Sequence, residues 1–575
     1  MKQLVSRASF SFLIAVLTLA ASFTASAKGG MSARAQEVLE KSPHEMVDLI
    51  VTYRQRPRPN DRAKVKDHGG QLRHEFKLIP GHAIRVPAHA AAALQHNPNV
   101  ASISIDEPVS RAALATLNDG LYTVTLAPTR IVVSQPSSVS AGLPGLDSVP
   151  YTGAGVKVAV LDSGFRKHSD LRPLQMLSLT GNNGADKYGH GNHIATIIAG
   201  NGAGSAGSYR GVAPDAEVIS VQVLDEVGQG LTSDVIAGLD YILKMNQDSS
   251  HIRVVNMSLG HPVQESADTD PLVQAVEAVW DSGVVVVCSA GNAGRDGYGT
   301  ITSPGNSRKV ITVGSVTTWG DSDAGNDIVS TFSSRGPTRG DHFVKPDLIT
   351  HGNRVIAAKA EKGYLEASYP ERLITAAGTK SAQYYQQSGT SMAAAVVSGA
   401  VALMLEKDPG LTPDTVKARL MGSAQKVDFA DVFATGAGML DILETLDNSR
   451  TADQAPSPRV VRDEVNGKMG FEETALLWGD QQWALGYLWS DGYLWSDGGV
   501  DADGYLWSDG YLWSDGYLWS DGYLWSDGYL WSDGYLWSDG YLWSDGYLWS
   551  DGYLWSDGYL WSDGYLWSDA LLLDD

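Results

Sequence analysis

Four short and nearly continuous apolar runs stand between residues 150 and 320, and polar or helix-periodic stretches separate them. The runs are VKVAVLD at 156–162, VVNMSLG at 254–260, GVVVVCSAGN at 283–292 and VITVGSV at 310–316. A strand that is buried on both faces of a parallel sheet requires such a run. Between the first two runs, Ser233 is predicted to cap a helix with one apolar stripe. The alternation predicts an open α/β sheet with helices on both faces.

A smaller mixed pattern precedes this region. The segment 46–54 reads as a strand and is followed by the predicted loop RQRPRPN. Residues 88–100 predict a short helix that ends at Pro98, and residues 101–106 predict another strand. Together they indicate a small α+β unit. Its arginine-rich loop is compatible with an anion site, but a solvated loop is the favoured interpretation.

The first 27 residues have the pattern of a secretory signal. Lys2 and Arg7 precede an apolar run at 10–23, and small residues follow at 25–27. An uncleaved membrane anchor is the alternative. No later stretch reaches the ~18 uninterrupted apolar residues that a membrane-spanning helix needs. We therefore expect an exported protein without a transmembrane segment.

From residue 485 the chain becomes a hexapeptide repeat, in which YLWSD occurs 13 times. In an extended strand, Tyr, Trp and Asp of each repeat would share one face. The fixed period favours a stacked solenoid or sheet, and a flexible low-complexity tail is the alternative. Contact with sugars, a surface or a polymer, or binding of Ca²⁺, remain open functions, although no specific ligand pattern is present.

Charge and cysteine content exclude several protein classes. The formal net charge is −23, and the 17 Asp of residues 485–575, which hold no Glu, Lys or Arg, leave −6 for the rest. Such a balance argues against nucleic-acid binding, because phosphate recognition needs clustered basic residues. The single cysteine, Cys288, excludes a disulfide scaffold and a cysteine-based zinc module.

Three dispersed residues carry candidate chemistry. Asp162 ends the first apolar run, where a carboxylate could orient an imidazole or form a turn. His190 precedes a small apolar helix and could act as a general base, or with His193 as a metal ligand. Ser391 stands at the start of an almost wholly apolar helix, where it reads as a nucleophile near the positive helix end or as an N-cap.

The combination resembles the subtilisin-like serine proteases, in which Asp, His and Ser follow in this chain order. The motifs are DSG, HGNH and GTSMAA, with further similarity in GVAPDAEVISVQVLD, NMSLG, SAGN, FSSRGP and KPDL. The resemblance implies that Asp162 orients the base, His190 is the base, Ser391 is the nucleophile and Asn292 contributes to the oxyanion hole. It also implies that Ser258, Leu259 and Gly260 form the strand edge that pairs with the substrate backbone.

The resemblance extends to the region before the apolar runs. FKLIPGHAIRVPA at 76–88 and NVASISIDEPV at 99–109 resemble the inhibitory propeptide of these enzymes, whose C-terminal end occupies the active cleft until self-cleavage. The expected organisation is a signal peptide (1–27), an α+β propeptide (28–118), a subtilisin-like catalytic domain (119–446), a linker (447–484) and a hexapeptide-repeat tail (485–575).

The chain departs from the family pattern at three places. Asn192 replaces the usual Thr between the two histidines, Ala395 replaces a Pro, and Thr350-His351-Gly352 replaces APG. None of these changes removes a group that handles protons or the oxyanion. The predicted activity is therefore a secreted serine endopeptidase made as a self-processed zymogen, with protein or peptide substrates and its own propeptide as inhibitor.

No cofactor is expected for the chemistry and no metal site is assigned. Structural Ca²⁺ is common in the family, but no loop of this sequence has decisive ligand spacing. The competing hypothesis is an inactive protease-like protein that works through its acidic aromatic tail in binding or surface attachment.

Overall fold

The computed structural model describes residues 30–111, 143–181, 183–318, 327–427, 432–462 and 469–472, and the backbone strands of the repeat between 487 and 573. The predicted signal peptide, the predicted boundary at residues 118 and 119, and part of the predicted linker lie outside the described residues. The chain divides into two compact units, one ending at Asp106 and the other beginning at Glu107.

The first unit is a four-stranded antiparallel sheet with helices, in the strand order β2-β3-β1-β4. Its elements are α1 (Ala33–Lys41), β1 (Met46–Tyr53), α2 (Pro59–Asp67), β2 (Gln71–Glu75), β3 (Gly81–Pro87), α3 (Ala88–Leu94) and β4 (Val100–Ile105). Apolar residues of both layers, among them Leu49, Ile84 and Ile103, form its core. Helix α2 begins inside the predicted loop, where Asp61 accepts the backbone N–H of Arg58 at 2.8 Å and closes the first turn.

The second unit contains the predicted open sheet, in the order β15-β14-β12-β10-β6-β8-β7 with β16 beside β14. All of these neighbours pair in parallel except β14 and β15. The strands are β5 (Pro108–Arg111), β6 (Lys157–Asp162), β7 (Gln175–Ser178), β8 (Glu217–Gln222), β9 (Gln229–Leu231), β10 (Ile252–Met257), β11 (Leu259–Pro262), β12 (Val285–Ser289), β13 (Thr302–Ser303), β14 (Ile311–Thr317), β15 (Ile328–Val329), β16 (Leu348–His351), β17 (Val355–Ala358), β18 (Leu373–Ile374), β19 (Tyr384–Gln387), β20 (Arg459–Arg462) and β21 (Met469–Glu472).

Two pairs of helices cover this sheet. Helices α4 and α8 pack against each other and on β6, while α5 and α6 form a second pair on the central strands. The helices of the unit are α4 (Gly191–Ala199), α5 (Thr232–Gln247), α6 (Pro271–Asp281), α7 (Tyr364–Ser368), α8 (Thr390–Lys407), α9 (Pro413–Gly422), α10 (Val432–Thr435) and α11 (Ile442–Asp447). The arrangement confirms the predicted α/β class.

The predicted cap of α5 is wrong by two residues. The helix begins at Thr232 and its N-cap is Leu231, so Ser233 lies inside the first turn. Thr232 is drawn into the neighbouring strand pair instead, because its N–H and its hydroxyl both donate to the carbonyl of Glu107, at 3.0 and 2.9 Å.

Among the described helices, only α8 is long and apolar enough to cross a membrane by length and composition. In this fold its residues from Thr390 to Leu405 are buried against α4 and the central strands. The helix is thus a core element, and its apolar character comes from being surrounded by protein.

The repeat forms a stack of four-residue strands. Tyr487–Ser490 pairs in parallel with Tyr505–Ser508, and Tyr493–Ser496 pairs with Tyr511–Ser514, so each strand lies beside the strand 18 residues later. Three successive hexapeptides therefore make one coil, and equivalent backbone positions lie in register from coil to coil. The strands are β22 (Tyr487–Ser490), β23 (Tyr493–Ser496), β24 (Gly499–Ala502), β25 (Tyr505–Ser508), β26 (Tyr511–Ser514), β27 (Tyr517–Ser520), β28 (Tyr523–Ser526), β29 (Tyr529–Ser532), β30 (Tyr535–Ser538), β31 (Tyr541–Ser544), β32 (Tyr547–Ser556), β33 (Tyr559–Ser562) and β34 (Tyr565–Leu573).

Candidate active site

The predicted site residues meet at the C-terminal edge of the parallel sheet. Asp162 is the last residue of β6, and Asn292 follows β12 by three residues. His190 directly precedes α4, and Ser391 is the second residue of α8. Because α4 and α8 pack together, their N-terminal ends bring His190 and Ser391 to the strand ends that carry the other two residues.

Asp162 and His190 form a buried hydrogen-bonded pair. Nδ1 of His190 lies 2.8 and 2.9 Å from the two carboxylate oxygens of Asp162, and each residue is 1% exposed. A carboxylate accepts only, so this contact holds the imidazole proton on Nδ1 and leaves Nε2 as the basic nitrogen. The backbone N–H of Ser163 donates to the same carboxylate at 2.7 Å, which helps to fix its orientation.

Ser391 is held between α8 and the segment that follows β10. Its hydroxyl donates to the carbonyl of Ser258 at 3.3 Å, and the Ser258 hydroxyl donates to the Ser391 carbonyl at 3.0 Å. Within the described part of the chain, no hydrogen bond joins Ser391 to His190. A helix N-terminus leaves backbone N–H groups without intrahelical partners, so the surroundings of Ser391 favour negative charge on a nearby oxygen.

Asn292 lies against the start of α8. Its Oδ1 accepts the backbone N–H of Thr390 at 2.9 Å and the Thr390 hydroxyl at 3.2 Å. The same amide approaches Gly389 so closely that a Cβ atom at that position would lie 3.3 Å from Nδ2. Thr390 therefore fixes the amide beside the residue that precedes Ser391.

Asp186 is a positioning residue that the sequence reasoning missed. It is fully buried, and its carboxylate accepts the backbone N–H groups of Tyr188, Gly189 and Asn192, at 3.0, 2.7 and 2.8 Å. The Ser163 hydroxyl also donates to it at 2.9 Å, which links this loop to the turn after Asp162. Burial, with a smaller contribution from Asp162, raises the pKa of Asp186. The only sequence signal was an acidic residue four positions before His190.

The predicted substrate strand lies beside a segment of the chain itself. Leu259 pairs with Arg111 and Gly260 pairs with Ser110, in antiparallel register. On its other edge β5 pairs with β9, where Val109 faces Gly230. The strand Pro108–Arg111 thus fills the space between two strand edges, as an extended peptide does when it adds to a sheet.

His193 is directed away from the Asp162–His190 pair. Its Nε2 lies 3.0 Å from the carbonyl of Tyr385 and 3.2 Å from that of Val355, and burial lowers its pKa to about 3. Within the described residues no group of three His, Cys, Asp or Glu side chains could hold a metal ion.

The three departures from the family pattern fit their surroundings. Asn192 is buried and holds the backbone of Arg166 through an accepted bond of 2.6 Å and a donated bond of 2.8 Å. Ala395 lies within α8 and is fully buried. His351 ends β16 and contacts the Thr318 hydroxyl at 3.2 Å.

Comparison with known proteins agrees with this geometry. The family model described as Subtilase family matches residues 153–438. Serine protease AprX of Bacillus subtilis is 38% identical over 299 residues, which is 50% of this chain and 66% of that protein. Subtilisin E of the same organism is 30% identical over 402 residues, which is 68% of this chain and 88% of that protein.

A solved structure shows the same fold. Fervidolysin from Fervidobacterium pennivorans, a keratinolytic enzyme related to subtilisin, superimposes with a TM-score of 0.55 at 20% identity. The match covers 77% of this chain and 69% of that chain.

Proposed function

Because the chain belongs to the subtilase family and is a serine endopeptidase, we propose that it is exported as a zymogen and cleaves peptide bonds through an acyl-enzyme on Ser391. The catalytic group comprises Asp162, His190, Ser391 and Asn292. Export is supported by the N-terminal pattern of two basic residues, an apolar run and small residues. Subtilase chemistry needs no cofactor.

In the proposed reaction, Nε2 of His190 takes the proton of the Ser391 hydroxyl while Oγ attacks the substrate carbonyl. The tetrahedral oxyanion receives hydrogen bonds from the Asn292 amide and the Ser391 backbone N–H, and one such donor contributes roughly 3–4 kcal/mol. Protonated His190 then gives its proton to the leaving amine, which leaves the acyl-enzyme. A water molecule reverses these steps and releases the acid.

The observation that carries the proposal is the contact of Nδ1 of His190 with both oxygens of Asp162, at 2.8 and 2.9 Å. A buried carboxylate in this place stabilises the imidazolium that forms during attack. The mutual bonds between Ser391 and Ser258 support the second half of the argument, because they tie the nucleophile to the strand where substrate would bind.

The zymogen part of the proposal is supported by strand β5. This segment directly follows the first compact unit and occupies the two strand edges that a substrate backbone would need. A chain that blocks its own cleft in this way would have to be cut and released before other proteins could enter.

Self-processing is the test. We expect residues 28–575 with Ser391 intact to lose about 80–120 N-terminal residues, a span that fits a small domain, while the Ser391→Ala variant stays at full length. Intact mass and N-terminal sequence over time measure both. A serine-directed fluorophosphonate should label the wild-type protein and leave Ser391→Ala unlabelled.

Either of two results would refute the proposal. One is identical processing of the wild-type protein and Ser391→Ala under conditions without another protease. The other is a full-length wild-type protein that also resists the fluorophosphonate, because the catalytic group would then not be assembled.

A further inference from the structure

The side chain of Arg111 marks one defined position of the substrate cleft. Arg111 pairs with Leu259, so the residue after it in an antiparallel strand would face Ser258. The Ser391 hydroxyl bonds to the Ser258 carbonyl, and a substrate residue facing Ser258 therefore presents its own carbonyl to Ser391. Arg111 thus occupies the place of P2, the second residue before the bond that is cut.

This place is lined by tyrosine rings. The guanidinium carbon of Arg111 lies 5.4 Å from the ring centroid of Tyr188, which is 5% exposed. The Tyr188 ring stacks on Tyr364, with centroids 5.9 Å apart and an interplanar angle of 19°. A small cavity next to Arg111 is lined by Tyr369 and Tyr385. We call these four tyrosines the tyrosine subsite.

An aromatic face attracts a cation that lies within about 6 Å of its centroid, and the attraction grows when water is excluded. A planar guanidinium also stacks on a ring, which an ammonium does not. Burial raises the pKa of Tyr188, and the positive charge of Arg111 offsets part of that rise. Tyr188 is two residues from His190, so the subsite adjoins the reacting groups.

One like charge acts against a cation here. Arg372 lines the same cavity as Arg111. Its guanidinium carbon lies 5.1 Å from the ring centroid of Tyr369, and its Nε lies 3.8 Å from a carboxylate oxygen of Glu371. These contacts hold Arg372 on its own ring, while Tyr188 and Tyr364 face Arg111.

We propose that the tyrosine subsite makes this protease select arginine at P2 of its substrates. The inference rests on the proposed function, because it assumes that Ser391 cuts a peptide bound along Leu259 and Gly260. It assigns a specificity role to Tyr188, which the catalytic mechanism does not use.

The test uses two fluorogenic peptides with the sequence of residues 108–114, PVSRAAL, one of which carries citrulline in place of arginine. Citrulline keeps the shape and loses the charge. We expect kcat/KM of the mature protease to be about tenfold higher for the arginine peptide. Tyr188→Leu should reduce this ratio to below twofold, whereas the matched control Tyr188→Phe should keep it. Arg372→Gln should increase it.

A wild-type ratio below twofold, or a ratio that Tyr188→Leu leaves unchanged, would overturn the subsite while cleavage of both peptides upholds the proteolytic function. If Tyr188→Leu does not fold, the wild-type ratio and its increase in Arg372→Gln decide the question. Failure of the wild-type protein to cut either peptide, together with resistance to the fluorophosphonate, would refute the proposed function and the subsite with it.

Discussion

Two histidines of the catalytic domain are buried without a carboxylate partner to favour their charged form. Burial lowers the pKa of His351 to about 4 and that of His193 to about 3, from the ordinary value of 6.5. The unfolded chain therefore binds more protons than the folded chain as pH falls through 6.5 toward 4. Stability is lost in that window, because protons pull the equilibrium toward the unfolded state.

His351→Asn tests this directly. Between pH 7 and pH 5 we expect the variant to lose about 2 kcal/mol less unfolding free energy than its parent, since one buried imidazole no longer takes up a proton on unfolding. Urea unfolding of the Ser391→Ala background at both pH values measures the difference. His251→Asn, the same change at an exposed histidine, is the control and should keep the parental loss. Equal losses in all three proteins would contradict the prediction.

At this scale the sequence identified residues that stand in motifs and missed those that act through the backbone. Asp162, His190, Asn292 and Ser391 could be proposed from short motifs and from the resemblance they carry. Asp186 could not, because its role depends on backbone N–H groups that converge only after the loop has folded. The P2 contact of Tyr188 likewise joins residues far apart in the chain.

Among the elements, α8 has the strictest packing. A Cβ atom on Gly399 would lie 2.5 Å from Cβ of Val212, and Val212 is itself buried. The glycine therefore allows the helix to approach the segment after α4, and that approach sets the depth at which Ser391 enters the site.

Gly399→Ala should lower the free energy of unfolding by about 1–3 kcal/mol, the usual cost of overpacking a core, although alanine is the better helix former. Gly410→Ala is the matched control, because its nearest neighbour would be an Asp408 oxygen at 3.5 Å. Urea titration of both variants in the Ser391→Ala background gives the comparison. A stability gain in Gly399→Ala would show that the contact with Val212 relaxes easily.

Element prediction succeeded where burial is complete and failed where a helix is polar. The apolar runs at 156–162 and 310–316 correspond to β6 and β14, because strands covered on both faces leave a continuous pattern. Helix α2 was read as part of a loop, since only Asp61 and Val65 of its nine residues are buried. The run at 254–260 is in fact divided between β10 and β11.

At the scale of the whole molecule, the repeat adds a stack of coils to a chain whose proposed chemistry lies elsewhere. Its strands pair with one another every 18 residues, from Tyr487 to Leu573. Every residue assigned to the catalytic mechanism lies before residue 400. Catalysis and the repeat are therefore expected to be separable.

Deletion of residues 485–575 should leave kcat/KM for a short peptide within about twofold of the full-length mature enzyme, because no reacting group is removed. Steady-state kinetics of the two proteins with the arginine peptide provide the measurement. Loss of all activity on deletion would instead favour the hypothesis that the acidic aromatic tail is the working part of the molecule.

The strand Pro108–Arg111 also determines how activity would develop with time. While it belongs to the same chain as the cleft, its effective concentration is independent of dilution, so the first cut proceeds at the same rate in any volume. Once cut, the released fragment is an ordinary competitive inhibitor that dilution removes and that free enzyme can digest. The onset of proteolysis would thus show a lag and then accelerate, with each opened cleft helping to open the next.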